Sequence, residues 1–168
     1  MYHTLDEFRT QWAFESEQTQ HILEALTDAS LAQRIDDAGG RTLGQLAWHI
    51  TQTVPEMTNK TGLAVSGPGE HDPTPTSAAA IASAYKAASA SLLAEIASKW
   101  SDASLTTEND MYGMTWTKAQ TLNVVITHQA HHRGQMTVLM RQAGLRVPGI
   151  YGPAREDWAA MGMEPPPL

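Results

Sequence analysis

The residues best equipped for chemistry are His128 and His132, within the string His128-Gln129-Ala130-His131-His132-Arg133-Gly134-Gln135. Residues four apart in an α-helix lie one turn apart on the same face, so both imidazoles can present a nitrogen to a single point. That is a metal-ligand spacing. Helical projection sets both at the centre of a stripe made by Thr121, Val125, Met136, Leu139 and Ala143. Gln135 lies close to the same face, and His131 falls toward a neighbouring edge with Val124 and Val138. A lone core histidine is more often a hydrogen-bonded structural residue than a ligand, but two at this spacing reverse the expectation. Buried without partners they would leave up to four ring nitrogens unsatisfied, whereas a divalent cation takes one nitrogen from each.

His49 is the best candidate for a third ligand. It falls on the edge of an apolar stripe formed by Leu43, Leu46, Ala47, Ile50, Val54 and Met57, from which it can lean into a cleft between helices. Three neutral histidines leave at least one position of a four- to six-coordinate ion open to water or substrate, as catalytic sites do. Such an ion lowers the pKa of bound water or binds a thiolate, and acts as a Lewis acid. Zinc is the default, although imidazole also suits nickel, copper, iron and manganese.

The elements that must position these residues are helices. Thr4 with Glu7 reads as a capping box opening a first helix that runs to about Asp28, with Leu5, Phe8, Trp12, Ile22 and Leu26 on its apolar face. Glu15 and Thr19 fall where that pattern calls for apolar side chains. The preferred expectation is a bend that lets Glu15 reach solvent, since an unpaired buried carboxylate is costly. Its alternative is an interior carboxylate near a metal. Residues 35–41, with Asp36, Asp37, Gly39 and Gly40, read as a turn-rich connection. Thr42 with Gln45 caps a second helix, in which Pro55 is expected to cause a kink. Residues 62–76 read as a long loop carrying an exposed His71. Thr76 or Ser77 then caps an Ala-rich third helix buried along Ile81, Tyr85, Ala88, Leu92, Ile96 and Trp100. Residues 105–116 read as a short hairpin or an irregular loop. Thr117 with Gln120 caps the fourth helix, which continues to about Ala143 before Gly144. A last short helix is expected over Ala154–Met161, anchored by Trp158. The sum is an all-α chain, a four-helix bundle in one domain over residues 1–168.

Composition narrows the function classes. Acidic residues outnumber basic ones by 18 to 11, for a net charge of −7, and no Lys/Arg cluster offers a phosphate-binding face, so no nucleic-acid partner is expected. There is no Cys, which excludes disulfides, thiolate metal ligands and a cysteine nucleophile. No apolar leader and no run of about 18 apolar residues is found, so the expectation is a cytoplasmic protein with no membrane partner. His3, His21 and His131 read as surface or packing residues, and the tryptophans as core or interface anchors.

Three segments together resemble the DinB-like (YfiT-like) family, named after damage-inducible bacterial genes. They are Leu46-Ala47-Trp48-His49-Ile50, the string from His128 to Gln135, and Gly144-Leu145 through Ile150-Tyr151-Gly152. The resemblance implies a four-helix bundle, often a homodimer, with one divalent metal on a histidine triad falling on His49, His128 and His132. It also implies a range of reactions: thiol S-transfer with low-molecular-weight thiols such as bacillithiol, mycothiol-dependent isomerisation, and metal-dependent hydrolysis.

The expected function is therefore a metal-dependent thiol S-transferase or hydrolase acting on a small electrophilic substrate in stress response or detoxification. Any thiol would be an external cofactor, since the chain has none. Gln135, or with less weight Glu15, would orient a ligand or the nucleophile. The alternative is a metal-binding or ligand-binding stress protein without turnover. A third possibility is a bundle whose core histidines are satisfied by side chains and water.

Overall fold

The computed structural model describes residues 1–35 and 39–167. Part of the expected 35–41 connection, with Asp36 and Asp37, lies outside them. Four helices carry the fold: α1 (Leu5–Glu24), α2 (Leu43–Asn59), α3 (Ala78–Lys99) and α4 (Lys118–Gln142). A hairpin of β1 (Glu108–Met111) and β2 (Met114–Thr117) precedes α4. The helices form a bundle in which α1 and α2 each pack against both α3 and α4. The core is one cluster that includes Phe8, Trp12 and Ile22 from α1, Ile50 and Val54 from α2, Ile81, Tyr85 and Leu92 from α3, and Leu122, Val125 and Met136 from α4.

The helix starts follow local chemistry. Thr4 and Thr42 make reciprocal capping boxes with Glu7 and Gln45, whereas Ser77 and Thr117 accept from the third backbone N–H of α3 and α4. Each cap satisfies donors that the first turn leaves over. The first helix ends at Glu24 rather than near Asp28. Thr27 and Ser30 cap each other and begin a separate 3-10 turn, Asp28–Ala32.

Pro55 sits inside α2 without ending it. The following loop lies against that turn so closely that a Cβ on Gly67 would meet Pro55 Cγ at 2.9 Å, which explains a glycine there. Further ties hold this loop over the α2 surface. Trp48 Nε1 donates to the Asp72 carbonyl at 2.9 Å, and Gln52 Nε2 donates to the Gly69 carbonyl at 2.6 Å.

The hairpin turns through Tyr112 and Gly113, both at positive φ, 59° and 78°. Such a two-residue turn matches the twist of the strands. A tyrosine in the left-handed region is unfavourable, and its hydroxyl is held by Glu56 of α2 at 2.6 Å.

The C-terminal segment returns along the bundle. The expected helix over Ala154–Met161 is present only as a 3-10 turn, Ala159–Met161. Before it, Asp157 accepts from the Ala154 N–H at 2.8 Å and from Arg146 at 2.6 Å, which holds a turn in place of a first helical turn. Among the described residues no helix is long and apolar enough to cross a membrane.

Candidate metal centre

α2 and α4 pack side by side, and their facing edges bring His49, His128 and His132 together. The Nε2 atoms of His49 and His128 are 3.3 Å apart, and those of His128 and His132 are 3.1 Å apart. One ligand atom from each residue falls within 4.8 Å of the other two. Nitrogens bound about 2.0–2.1 Å from a shared ion lie about 2.9–3.4 Å apart for right-angled to tetrahedral arrangements. Both separations fall in that range.

The protonation states agree with the geometry. Burial is the largest influence on all three imidazoles and disfavours the cation, with Arg41 and the neighbouring histidines acting in the same sense. His49 and His128 are each lowered to about 4, and His132 is lowered as well. Near neutral pH the cluster is therefore uncharged and rich in lone pairs. His132 Nδ1 lies 2.7 Å from Gln135 Oε1, an acceptor, so the proton belongs on Nδ1 and Nε2 keeps its lone pair facing the cluster. Gln135 Nε2 reaches His131 Nε2 at 3.2 Å, which fixes the amide from its other end. His128 Nδ1 is buried with no hydrogen-bond partner among the described residues. Three nitrogen lone pairs meeting at one point cannot all be satisfied by sharing protons. The donor set fits a divalent ion, and the three histidines could hold one.

Two cavities flank the cluster. The larger, about 510 Å³, is polar and opens onto His49 and His128, with Gln52, Glu56, His71 and Tyr112 among its walls. The smaller, about 340 Å³, is predominantly apolar and opens onto His132 and Gln135 between Ile35, Leu46, Val138 and Leu139. Arg41 borders both. His71 is exposed, as its loop position suggests, and also reaches the polar cavity.

Glu15 corrects the preferred sequence reading. It is 6% exposed and faces the interior, not solvent. Its carboxylate pairs with the Arg133 guanidinium and accepts from Tyr151 Oη at 2.8 Å, so the structure brings it to a second polar cluster and not to the histidines. Arg133 also donates to the Glu15 carbonyl at 2.8 Å and to Thr19 Oγ1 at 2.9 Å. Gln129 Oε1 accepts from Thr19 at 2.9 Å and from Tyr85 at 2.8 Å. The Nε2 of Gln129 and the Nε of Arg133 have no partner among the described residues.

The buried face of α4 is thus centred on Gln129 and Arg133, not on the two histidines. His132 is buried at its border, and His128 is half-buried toward α2. Neither Gln129 nor Arg133 stands out in a hydrophobicity projection. The available signal lay on α1, where Glu15 and Thr19 interrupt an apolar stripe and so call for polar partners.

A helical bundle with an open cluster of three neutral histidines between two cavities is the class of protein that this fold and site define. Comparison with known proteins names the family. The DinB family model matches residues 1–166. The chain is 45% identical over 168 residues to the uncharacterized protein YrdA of Bacillus subtilis (strain 168), covering 100% of both chains. It is also similar to the crystal structure of a DinB-like protein from Bacillus cereus ATCC 10987, at 46% identity and a TM-score of 0.86, over 90% of this chain and 100% of that one. A second DinB-like protein, YjoA of Bacillus subtilis, shares the fold at 19% identity and a TM-score of 0.66, over 88% of this chain and 98% of its own. The chain belongs to the DinB family.

Proposed function

We propose that the chain is a single-domain, divalent-metal-dependent enzyme, a thiol S-transferase or hydrolase acting on a small electrophile in stress response or detoxification. His49, His128 and His132 hold the ion, with zinc the default and nickel, manganese or iron the alternatives. The observation that carries the reading is the meeting of three neutral imidazole nitrogens at the junction of two cavities. When bound, the ion supplies Lewis acidity and lowers the pKa of a thiol or water.

The chain's own residues do the rest. Gln135 holds the His132 proton on Nδ1 and so keeps Nε2 available. Arg41 places a positive charge beside the cluster, where it disfavours protonated histidine and favours an anionic nucleophile. With no Cys in the chain, a thiol nucleophile must come from outside. A cytoplasmic homodimer belongs to the same reading, supported by the family resemblance and checked by sedimentation.

Elemental analysis of untagged protein tests the metal: wild type should carry one divalent ion, lost in His49→Ala and in His132→Ala. Turnover of thiol and electrophile or ester pairs tests the chemistry. Full activity in a metal-free His128→Ala protein would sink the proposal. Tight metal binding without turnover across such a panel would favour the metal-binding stress protein instead.

A further inference from the structure

The string Thr27-Asp28-Ala29-Ser30-Leu31 that follows α1 returns after α3 as Ser101-Asp102-Ala103-Ser104-Leu105, with one hydroxyl residue exchanged for another. Each copy forms a 3-10 turn. Their hydrogen bonds correspond one for one. Ser30 Oγ accepts from the Thr27 N–H at 3.0 Å, and Ser104 Oγ accepts from the Ser101 N–H at 3.0 Å. Further on, the Gln33 carbonyl accepts from the first amide of α2, Leu43, at 2.8 Å, and the Thr107 carbonyl accepts from the first amide of α4, Lys118, at 2.9 Å. Both helices open on Thr-x-x-Gln, and the Thr42 and Thr117 hydroxyls each accept from the glutamine N–H at 3.1 Å.

The match continues into the core. With Thr42 set on Thr117, buried Ala47, Ile50 and Val54 of α2 fall on buried Leu122, Val125 and Gln129 of α4. With Thr4 set on Ser77, buried Phe8, Trp12 and Thr19 of α1 fall on buried Ile81, Tyr85 and Leu92 of α3. A shared helical period alone would align buried positions once the caps are matched. A turn reproduced bond for bond between them does not follow from that period.

The two units do not stand side by side. Among the described residues α1 has little contact with α2, and α3 little with α4, whereas each helix packs on both helices of the other unit. The turns interlock in the same sense. Asp28 of the first unit accepts from the Ala78 N–H at the start of α3 at 2.7 Å, and Asp102 of the second accepts from the Leu5 N–H at the start of α1 at 2.8 Å. Each carboxylate satisfies a donor that the first helical turn leaves over, and sets a negative charge at the positive end of a helix belonging to the opposite unit. The segments that trail each second helix cross over as well. The Ser66 N–H donates to Ser91 Oγ of α3, and Tyr151 Oη donates to Glu15 of α1, both at 2.8 Å.

We propose that the chain is two copies of one unit, helix followed by 3-10 turn and helix, over residues 1–75 and 76–168, interlocked so that neither folds without the other. The apolar face of each helix is covered by the opposite unit, so a unit by itself would leave that face in water. The connection over residues 62–76 is then a tether, which raises the effective concentration of one unit for the other. No metal is needed for this interlocking.

Cutting the tether tests it. A protease recognition site inserted between Pro75 and Thr76 is cleaved after the full chain has folded, and both pieces are kept together. The cut protein should elute as one species with its helical circular dichroism intact and should melt in a single transition. Its melting midpoint should fall about 3–5 °C for each tenfold dilution, more steeply than that of the uncut chain, because unfolding now separates two molecules. Pieces that elute apart while still helical, two separate melting transitions, or a midpoint no more sensitive to dilution than that of the uncut chain would overturn the proposal.

A second measurement leaves the tether whole. By amide hydrogen exchange on the intact chain, Asp102→Ala should speed exchange about fivefold or more at the start of α1, and Asp28→Ala should do so at the start of α3. Asp102→Asn and Asp28→Asn, which keep an acceptor oxygen, should restore most of the protection. Loosening confined to the unit that carries the substitution would overturn the interlock.

Discussion

α4 carries two polar pairs side by side, His128 with His132 and Gln129 with Arg133, one residue and about 100° apart. The second pair turns toward α1 and α3, where Glu15, Thr19, Tyr85 and Tyr151 meet it. Opposite charges meet there, and most donors find acceptors, although Gln129 Nε2 and Arg133 Nε have none among the described residues. The first pair turns toward α2 and meets a third imidazole. Like groups face one another, Nε2 to Nε2 at 3.3 and 3.1 Å, between two cavities. Both clusters are polar and largely withdrawn from water, so burial alone does not separate a structural network from a ligand site. Complementarity does: Glu15 and Arg133 are matched within this chain, whereas the three histidines face one another and could hold an ion from outside it.

If that contrast is right, each cluster should fail in its own way. The largest effect is expected from His128→Ala, which should eliminate metal binding by elemental analysis and turnover with it, while the metal-free fold keeps its unfolding free energy in urea within about 1 kcal/mol of wild type. Arg133→Ala should do the reverse. It leaves the Glu15 carboxylate buried and unpaired, at a cost of about 3–5 kcal/mol in denaturant unfolding. The double change Glu15→Gln with Arg133→Met should recover much of that loss, because no buried charge is then left alone.

Gln135→Ala lies between the two in size. Without the acceptor for His132 Nδ1, metal affinity should fall about 10–100-fold by competition with a chelator, with stability nearly unchanged.

The pH response sharpens the comparison. His49 and His128 sit near 4 in the fold, against an ordinary value near 6.5 when unfolded. Between those values the unfolded chain binds more protons, so the metal-free protein keeps this contribution above about 6.5 and loses it as pH falls toward 4. Urea midpoints across that window should slope downward with acid, and the slope should flatten in a His49→Ala, His128→Ala double variant. A slope that persisted would assign the acid sensitivity to groups other than these two histidines. The smallest effect is expected from Tyr151→Phe, about 1 kcal/mol of stability with metal content unchanged, since one hydroxyl leaves the closed cluster.

Much of the fold was legible residue by residue. Thr4, Thr42 and Thr117 announced their helices, and the Ser77 alternative for α3 was the one adopted, because N-caps are local chemistry that depends on three or four neighbouring residues. The end of α1 and the C-terminal turn were misjudged where local side-chain bonds, Thr27 with Ser30 and Asp157 with Ala154, outcompeted helix continuation. Glu15 was misread because its partner lies 118 residues away, at Arg133.

The sequence by itself determined the four amphipathic segments, their caps and the spacing of His128 and His132, all consequences of backbone geometry within a few residues. It also offered His49 as a companion from the edge of its stripe. Tertiary structure alone decided that α2 lies against α4, so that one ligand atom from each of the three histidines lies within 4.8 Å of the other two. It alone decided that Arg133, not a histidine, occupies the centre of the buried face. Projection along one helix records which residues share a side, but the identity of the opposing helix settles whether a polar residue on that side is matched, as Arg133 is by Glu15, or left with lone pairs to offer, as His128 is.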